Sequence, residues 1–353
     1  ARQADANLAS EAFDFVQEGS LATFWRQATP GTTYWRGYLP MLYLPGQVAQ
    51  LQNDSLSMEG DELILHGHEG VAIWQFLGDD GRSRIVKQLQ KQGVRTVMEI
   101  DDNYLRYAPP LYGKFGAWTK THAEAVANGT GYSVEMHRKI VPMMDALIVS
   151  TENLADEYDR WNDNIYVCPN SVDPTDWKVE RIPSDTLRIG YYGSPSHIRD
   201  WPVVKKALKW AQRQPDVEVV LAGFSPPGWT GRVLPWSDNL FDARSALGHM
   251  DVGIAPLTVN PWSAGKSDVK ALEYAMAGAL LILHDAAPYA PWAEHGWHWM
   301  CSTESDWMEA IQHAVRMGKD AVALEAAKAK EYVLTERTIQ TSIHNWRDAI
   351  DGS

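Results

Sequence analysis

Four segments of this 353-residue sequence combine charged and small residues at spacings that suit phosphate and hydroxyl chemistry. Gly265-Lys266-Ser267-Asp268-Val269-Lys270-Ala271-Leu272-Glu273 reads as a helix start, with Ser267 as N-cap and Gly278 as the C-terminal stop. Val269, Leu272 and Met276 then share one face, and Lys266, Lys270 and Glu273, at i, i+4 and i+7, form a polar stripe beside it. Two lysines at a helix N-terminus add to the macrodipole and suit an anion as charged as a diphosphate, and Glu273 suits ribose hydroxyls. The plainer alternative is a solvated stripe with a Lys270–Glu273 pair of small energetic weight.

Gly193-Ser194-Pro195-Ser196-His197 follows an apolar run ending at Tyr192. A small, flexible loop in that place exposes backbone N–H groups as a phosphate cradle does, and Arg199 adds a charge that never titrates. An ordinary strand-to-helix turn is the alternative. Glu99-Ile100-Asp101-Asp102-Asn103 sets adjacent carboxylates at a strand's carboxyl end, where Asp101 and Asp102 could orient sugar hydroxyls, act as base or bind a divalent cation, or simply satisfy a turn. Thr29-Pro30-Gly31-Thr32-Thr33-Tyr34-Trp35-Arg36 is a glycine loop opening a helix, which places Gly31 and Thr32 at a cleft edge. No G-x-G-x-x-G and no Walker-type lysine loop occurs, which takes most weight from dehydrogenase and P-loop readings. The 11 histidines show no metal-ligand spacing, His66-Gly67-His68 being the nearest to a pair, so no metal site is expected.

Strand-length apolar runs alternating with helical patterns must position these residues, which predicts an α/β protein with parallel sheets. Strands are expected at 21–24, 62–65, 71–76, 96–100, 146–150 and 165–168, with helices over 82–92 and 152–161. The polar, proline-containing 173–185 reads as a linker. A second series follows, with strands at 188–192, 218–222, 251–255 and 280–283. Its helices are expected at 200–213, capped by Asp200 with Pro202 in the first turn, and at 267–277, with a long helical tail over about 321–350. Ligands of open parallel sheets bind beyond the carboxyl ends of the strands, where all four segments fall.

The length suits two domains, and no apolar run approaches a membrane span. With only Cys168 and Cys301, a disulfide framework is excluded and a reducing cytoplasm is the expected setting. The net charge of −13 argues against a uniformly basic face for duplex DNA, though not against a local basic cleft. The 16 tryptophans supply either core bulk or stacking platforms for sugars and bases.

The ordered set of motifs resembles the GT-B glycosyltransferases of family 4. Asp145-Ala146-Leu147-Ile148-Val149-Ser150-Thr151-Glu152 and Cys168-Pro169-Asn170-Ser171-Val172-Asp173 are similar to that family's inter-domain passage, with Ser171 in place of a glycine. Ile189-Gly190-Tyr191-Tyr192-Gly193-Ser194 with Arg199-Asp200, Asp251-Val252-Gly253-Ile254-Ala255-Pro256-Leu257, and Lys266-Ser267 through Leu272-Glu273-Tyr274 resemble its nucleotide-domain segments. The likeness covers about residues 29–300, and the E-I-D-D and K-S-x-x-K forms resemble a branch often encoded by bacteriophages.

This resemblance implies two Rossmann-like domains facing across a deep cleft: an acceptor domain over 1–175, a nucleotide-sugar donor domain over 186–335, and a helix over 336–353 crossing back. It implies that Gly193, Ser194, Arg199 and Lys266 bind the donor diphosphate with support from Lys270, that Glu273 holds the ribose, that the stretch ending in Trp236 receives the base, and that Asp101 touches the transferred sugar. The family's first glutamate is Gly265 here, its work on the sugar shifting to Lys266 and Asp268. The expected activity is a retaining transfer of a hexose or related sugar from a UDP- or GDP-sugar to a hydroxyl, without an obligatory cofactor. Catalysis would fall to Asp101, Asp102, Arg199 and Lys266, and donor binding would also involve Gly31, Thr32 and Ser267. The acceptor would be a glycan, a modified DNA base or a protein hydroxyl, in a host cytoplasm if the chain is phage-encoded. A non-catalytic nucleotide- or sugar-binding protein on a decayed GT-B scaffold is the alternative, followed by a nucleotide-sugar epimerase.

Overall fold

A computed structural model of the chain describes residues 22–25, 32, 34–44, 48–51, 56–59, 62–65, 71–75, 80–106, 134–237 and 239–352. Gly31 and His66-Gly67-His68 lie outside these residues. The chain divides into two compact units. One holds the described residues through Asn170, then Ala264–Ser267 and the chain from Ile339; the other holds Ser171–Ser263 and Asp268–Thr338.

In the first unit the chain runs β1 (Ala22–Trp25), a π-helical turn (Tyr34–Tyr38), α1 (Leu39–Tyr43), β2 (Val48–Leu51), the antiparallel hairpin β3 (Leu56–Glu59) and β4 (Glu62–Leu65), and β5 (Val71–Gln75). It continues through α2 (Asp80–Lys91), β6 (Arg95–Ile100), α3 (Val134–Ile140), β7 (Ala146–Val149), α4 (Glu152–Tyr158) and β8 (Ile165–Val167). Six of these strands form one parallel sheet in the order β2-β1-β5-β6-β7-β8. Because both faces of such a sheet are covered, its central strands are near-continuously apolar. Val97, Met98 and Ile100 of β6 and all of β7 are buried accordingly. Val86 and Leu89, one turn apart on α2, pack into the same core.

The second unit repeats the alternation: β9 (Leu187–Tyr192), α5 (Trp201–Ala211), β10 (Val217–Ala222), β11 (Arg232–Leu234), α6 (Leu240–Ser245), β12 (Val252–Ala255), α7 (Val269–Met276), β13 (Leu280–His284), α8 (Ala290–Glu294), β14 (Met300–Cys301) and α9 (Glu304–Glu336). The last helix, α10 (Ile339–Asp351), belongs to the first unit. The sheet is parallel with the order β11-β10-β9-β12-β13-β14. Counted from its own first strand this is 3-2-1-4-5-6, the doubly wound order whose switch point, between β9 and β12, opens a crevice at the carboxyl ends. The opening is visible in the register, where β9 and β12 pair only at Val252–Ile189 and Gly253–Gly190. Beyond that point the Tyr274 hydroxyl accepts from Tyr192 N (2.8 Å) and donates to Ile254 O (3.1 Å), pinning the two diverging strands. A Cβ on Gly253 would lie 2.3 Å from that tyrosine ring, so only glycine lets the ring cross the strand there.

Several expected boundaries move. Asp200 occupies the N-cap position of α5, yet its side chain does not cap the helix, because its carboxylate is taken by Thr258 N (2.7 Å) and His197 Nδ1 (2.9 Å). α7 starts at Val269, not at Ser267, and its N-cap position is Asp268. The Ser267 hydroxyl instead accepts from Asn170 Nδ2 at 2.7 Å. Gly278, at φ 72°, does end α7. The segment expected to be a linker packs onto its own unit: Ile182 N donates to Gly248 O (2.9 Å), and Arg181 pairs with Asp251. The single helical tail is two helices, α9 and α10, with non-helical backbone at Gly318 inside α9. The break after α9 has a cause, since Arg337 is held by Asp268 while its carbonyl accepts from Val172 N (2.9 Å). The resulting Val172–Thr338 bridge sets the strand entering the second unit beside the one leaving it.

Candidate functional site

Residues with chemistry gather at the carboxyl edge of each sheet. In the second unit β9 delivers Gly193, whose N–H donates to Ala222 O at 3.0 Å. A Cβ there would come within 2.8 Å of the His197 ring and 3.2 Å of Lys270 Nζ, so the loop is narrow and flanked by both side chains. Gly223, at φ 89°, admits the Gly193 carbonyl and the Trp236 ring, each of which a Cβ would strike. Trp236 stacks on Tyr192 (6.3 Å between centroids) yet stays 41% exposed, unlike the buried Trp201, Trp292, Trp297, Trp299 and Trp307 of the same unit. It is therefore partly open to solvent, whereas the others serve as core bulk.

Below this edge lies a buried ion pair. Arg244 Nε donates to Glu273 Oε1 at 3.2 Å, with both side chains at most 5% exposed. The Arg244 guanidinium rests 4.9 Å above the Trp177 ring. Burial pushes the Glu273 carboxyl above its ordinary range, opposed by Arg244 and then by Lys270. Glu273 is thus hydrogen-bonded by Arg244, 29 residues away, and the Lys270 charge acts on the same carboxylate.

Asp200 collects the other polar contacts of the edge. Besides Thr258 N and His197 Nδ1 it accepts from the Tyr191 hydroxyl at 3.3 Å. Its own burial works against ionisation, but the His197 hydrogen bond and charge, with Lys270, hold its carboxyl below the usual aspartate value. Ser194 precedes and Arg199 lies within the same turn, a 3-10 helix over Pro195–Asp200.

In the first unit β6 is followed directly by Asp101-Asp102. Lys266 Nζ donates to both oxygens of Asp102, at 3.0 and 3.2 Å, and Tyr104 Oη donates to Asp101 at 3.1 Å. The pair is half-buried, Lys266 being 31% and Asp102 23% exposed. Burial pushes the Asp102 carboxyl up to about 6, with Asp101 adding and Lys266 opposing. The segment carrying Lys266 is fastened by Asn153 Nδ2 to Ala264 O (3.0 Å) and by the Asn170–Ser267 bond. Gly265 packs so tightly that a Cβ would lie 2.5 Å from Asn103 Cβ and 3.0 Å from its backbone nitrogen. A glutamate has no room there. A second buried pair joins Glu99 of the same strand to Arg36 of the π-helical turn, Nε to Oε1 at 2.6 Å, with Arg36 also donating to Cys168 O and stacked over Trp346 at 5.0 Å.

Of the residues singled out from sequence, Gly193, Ser194, Arg199, Trp236, Lys270 and Glu273 come together on the second unit, and Asp101, Asp102, Lys266 and Ser267 on the first. The stripe of Lys266, Lys270 and Glu273 is not one: Lys266 precedes α7 and belongs to the other unit. Thr32 is half-buried in a helical turn of the first unit. Asp268 is committed to Arg337 (2.7 Å) and Trp292 Nε1 (2.9 Å), so it does not take over the missing glutamate's work. Arg244 was not foreseen, and His197 and Arg36, though inside two of the four segments, were given no role. For Arg36 a signal existed, a lone cation in the apolar run from Tyr34 to Leu44, which must be paired if buried. Among the described residues no cluster of metal-ligating side chains occurs, and no helix is long and apolar enough to cross a membrane.

No protein-family model matches the sequence, and no curated protein matches it. Solved structures do match. A trehalose-6-phosphate synthase, studied for enzymatic glycosyltransfer with retention, aligns over 95% of this chain and 99% of its own with a TM-score of 0.61 at 11% identity. TarM aligns over 80% of this chain with a TM-score of 0.56 at 12% identity, and this chain spans only 55% of TarM's length. A structure described as trehalose-6-phosphate from E. coli bound with UDP-2-fluoro glucose covers 80% of this chain and 72% of its own, with a TM-score of 0.50 at 12% identity. At such identities the likeness is one of fold. The chain has the GT-B fold, two doubly wound parallel-sheet units.

Proposed function

We propose that this protein is a glycosyltransferase that moves a sugar from a UDP- or GDP-sugar to an acceptor hydroxyl with retention at the anomeric carbon. One observation carries the reading. At the switch point of a 3-2-1-4-5-6 sheet, a glycine loop, a lysine, an exposed aromatic face and a buried, arginine-held glutamate converge on one edge, in a chain that aligns almost end to end with a retaining synthase. The donor diphosphate sits at Gly193 and Ser194, neutralised by Lys270 and Arg199. The base stacks on Trp236, and Glu273 accepts from the ribose.

The chemical problem is a leaving diphosphate whose negative charge grows as the glycosidic bond breaks. Preorganised cations at that edge stabilise it without a metal and without a nucleophile from the protein. In the first unit, Asp101 and Asp102 orient hydroxyls of sugar or acceptor, with Lys266 holding Asp102. The phage-type branch, with a glycan, a modified DNA base or a virion protein as acceptor, is part of the same proposal. So is a reducing, cytoplasmic setting, which the buried free thiols of Cys168 and Cys301 suit.

Gly265 favours a second reading, a binding protein without turnover, because the position where the family carries its sugar-facing glutamate cannot hold a side chain. One experiment separates the two. UDP-, GDP- and ADP-sugars are screened by thermal shift with Lys270→Ala alongside, and any stabilising donor is then followed for release of nucleoside diphosphate with pooled glycan acceptors. A shift lost in the variant together with release supports the transferase; a shift without release under any acceptor supports the binding protein. A ligand at a hundred times its Kd stabilises by about 2.7 kcal/mol, enough to see.

A further inference from the structure

We propose that Tyr289, with His284 at the end of β13, forms a subsite on the second unit for the hydroxyl groups of the donor's sugar, and so helps to set which sugar the protein takes. The inference rests on the donor reading above and adds to it two residues and an uncharged, hydrogen-bonding part of the ligand.

Two polar side chains here are buried and left unmatched. Tyr289 closes the short helical turn Ala287–Tyr289 after β13 and is 4% exposed. Its N–H donates to Ala286 O at 2.9 Å, but its hydroxyl has no hydrogen bond to any described residue, where a buried phenol ordinarily finds one. Nor is that oxygen sealed in, as the indole nitrogens of Trp299 and Trp307 are. His284, the last residue of β13, is 6% exposed, with its ring stacked on Trp307 at 6.2 Å between centroids. Its Nδ1 is buried without a partner, and no described residue hydrogen-bonds its Nε2. An apolar ring would serve packing better at either place, since an unmatched polar atom in the interior is a net cost.

Both groups lie at the donor edge. β12 and β13 pair up to Ala255–Leu283, so His284 follows directly at the carboxyl end, one strand beyond the crevice. Tyr289 lies near enough to Asp200, Tyr274 and Asp268 for all three to add to burial in opposing its ionisation. Tyr274 is the residue that pins β9 to β12, and Asp200 ends the turn that follows the Gly193 loop. His284 is within reach of Asp200 as well, and burial holds its proton affinity down against the pull of Asp200 and Asp285.

The chemistry then selects the ligand. The phenol and the imidazole are both uncharged, and the carboxylates beside them repel an anion. Asp200 and Asp268 are already committed, to Thr258 N and His197 and to Arg337 and Trp292, so neither accepts from the phenol. A phosphate belongs two strands across, at the Gly193 loop with Lys270. Beside it fits an uncharged group whose hydroxyls both donate and accept, which is the sugar that the diphosphate carries. Tyr289 exchanges a hydrogen bond with one hydroxyl and His284 Nε2 with another.

The test uses the full chain and calorimetry with UDP, GDP, UDP-glucose, UDP-N-acetylglucosamine and GDP-mannose. Tyr289→Phe removes only a hydroxyl without a protein partner, so its urea midpoint should match that of the wild type. Its affinity for the sugar nucleotide that the wild type binds best should fall about tenfold, with affinity for the matching nucleoside diphosphate unchanged. His284→Gln should show the same split, with a loss of about fivefold. A loss shared equally by diphosphate and sugar nucleotide would overturn the proposal, as would unchanged affinity for both or a lowered urea midpoint for Tyr289→Phe; each leaves the donor reading standing. No binding of any of the three sugar nucleotides by the wild type would overturn both.

Discussion

Each unit sets a carboxylate against a cation near its sheet edge, and the two pairs differ in kind. Glu273 and Arg244 are almost wholly buried, and the guanidinium is also stacked on Trp177. Asp102 and Lys266 keep 23% and 31% of their side chains exposed, and Lys266 arrives on a short segment borrowed from between two parts of the other unit. Burial raises both carboxyls and a cation opposes it in both. The difference teaches that the first pair is costly to break, because its charges are almost wholly withdrawn from water, whereas the second can exchange partners at small cost.

Breaking the buried pair has the largest expected effect. Glu273→Ala strands Arg244 and should cost about 3–5 kcal/mol in urea unfolding, while Arg244→Met/Glu273→Leu together should recover most of it. If the single variant cost as little as an exposed pair, the contrast would fail. Next comes Gly265→Ala, whose methyl must displace Asn103; a loss of about 1–3 kcal/mol is expected by the same measurement.

Asp102 sharpens the contrast through pH. Its folded value, about 6 against an ordinary 3.8, means the native protein keeps a proton that the unfolded chain has already released. The stability this group contributes is therefore lost as pH rises through that window. The difference in unfolding free energy between wild type and Asp102→Asn should fall from about pH 4 to about pH 6 and be level above it; a difference that rises would contradict the assignment. The smallest effect is that of Lys266→Met, which should change stability by less than about 1 kcal/mol. Without its ammonium the Asp102 carboxyl should move still higher, visible as a displaced carboxyl resonance in an NMR titration.

How far the sequence reaches follows the range of the interactions. Every expected strand among the described residues appears, because each is specified by its own apolar run, and Gly278 ends its helix because only glycine takes φ 72° without strain. The expected stripe fails because helical periodicity was extended two residues too far: Ser267 has the chemistry of an N-cap, but Asn170, 97 residues away, claims its hydroxyl. Glu273 was found and its partner was not, since Arg244 lies 29 residues earlier on an element whose orientation only tertiary packing decides. The carboxylate of Asp200 went the same way, to Thr258 58 residues on rather than to its own helix.

The passage of the backbone between units has a consequence for biosynthesis. The chain leaves the first unit after Asn170, returns to it for Ala264–Ser267, and comes back a last time at Ile339. There Trp346 lies under Arg36, and Asn345 donates to Val167 O at 2.9 Å. On a ribosome, which delivers residues in order, Arg36 and Glu99 emerge long before the indole that completes their burial. The N-terminal half must therefore wait, partly finished, until the whole second unit has been made, and a chaperone that shields its open face during that interval would raise the yield of folded protein.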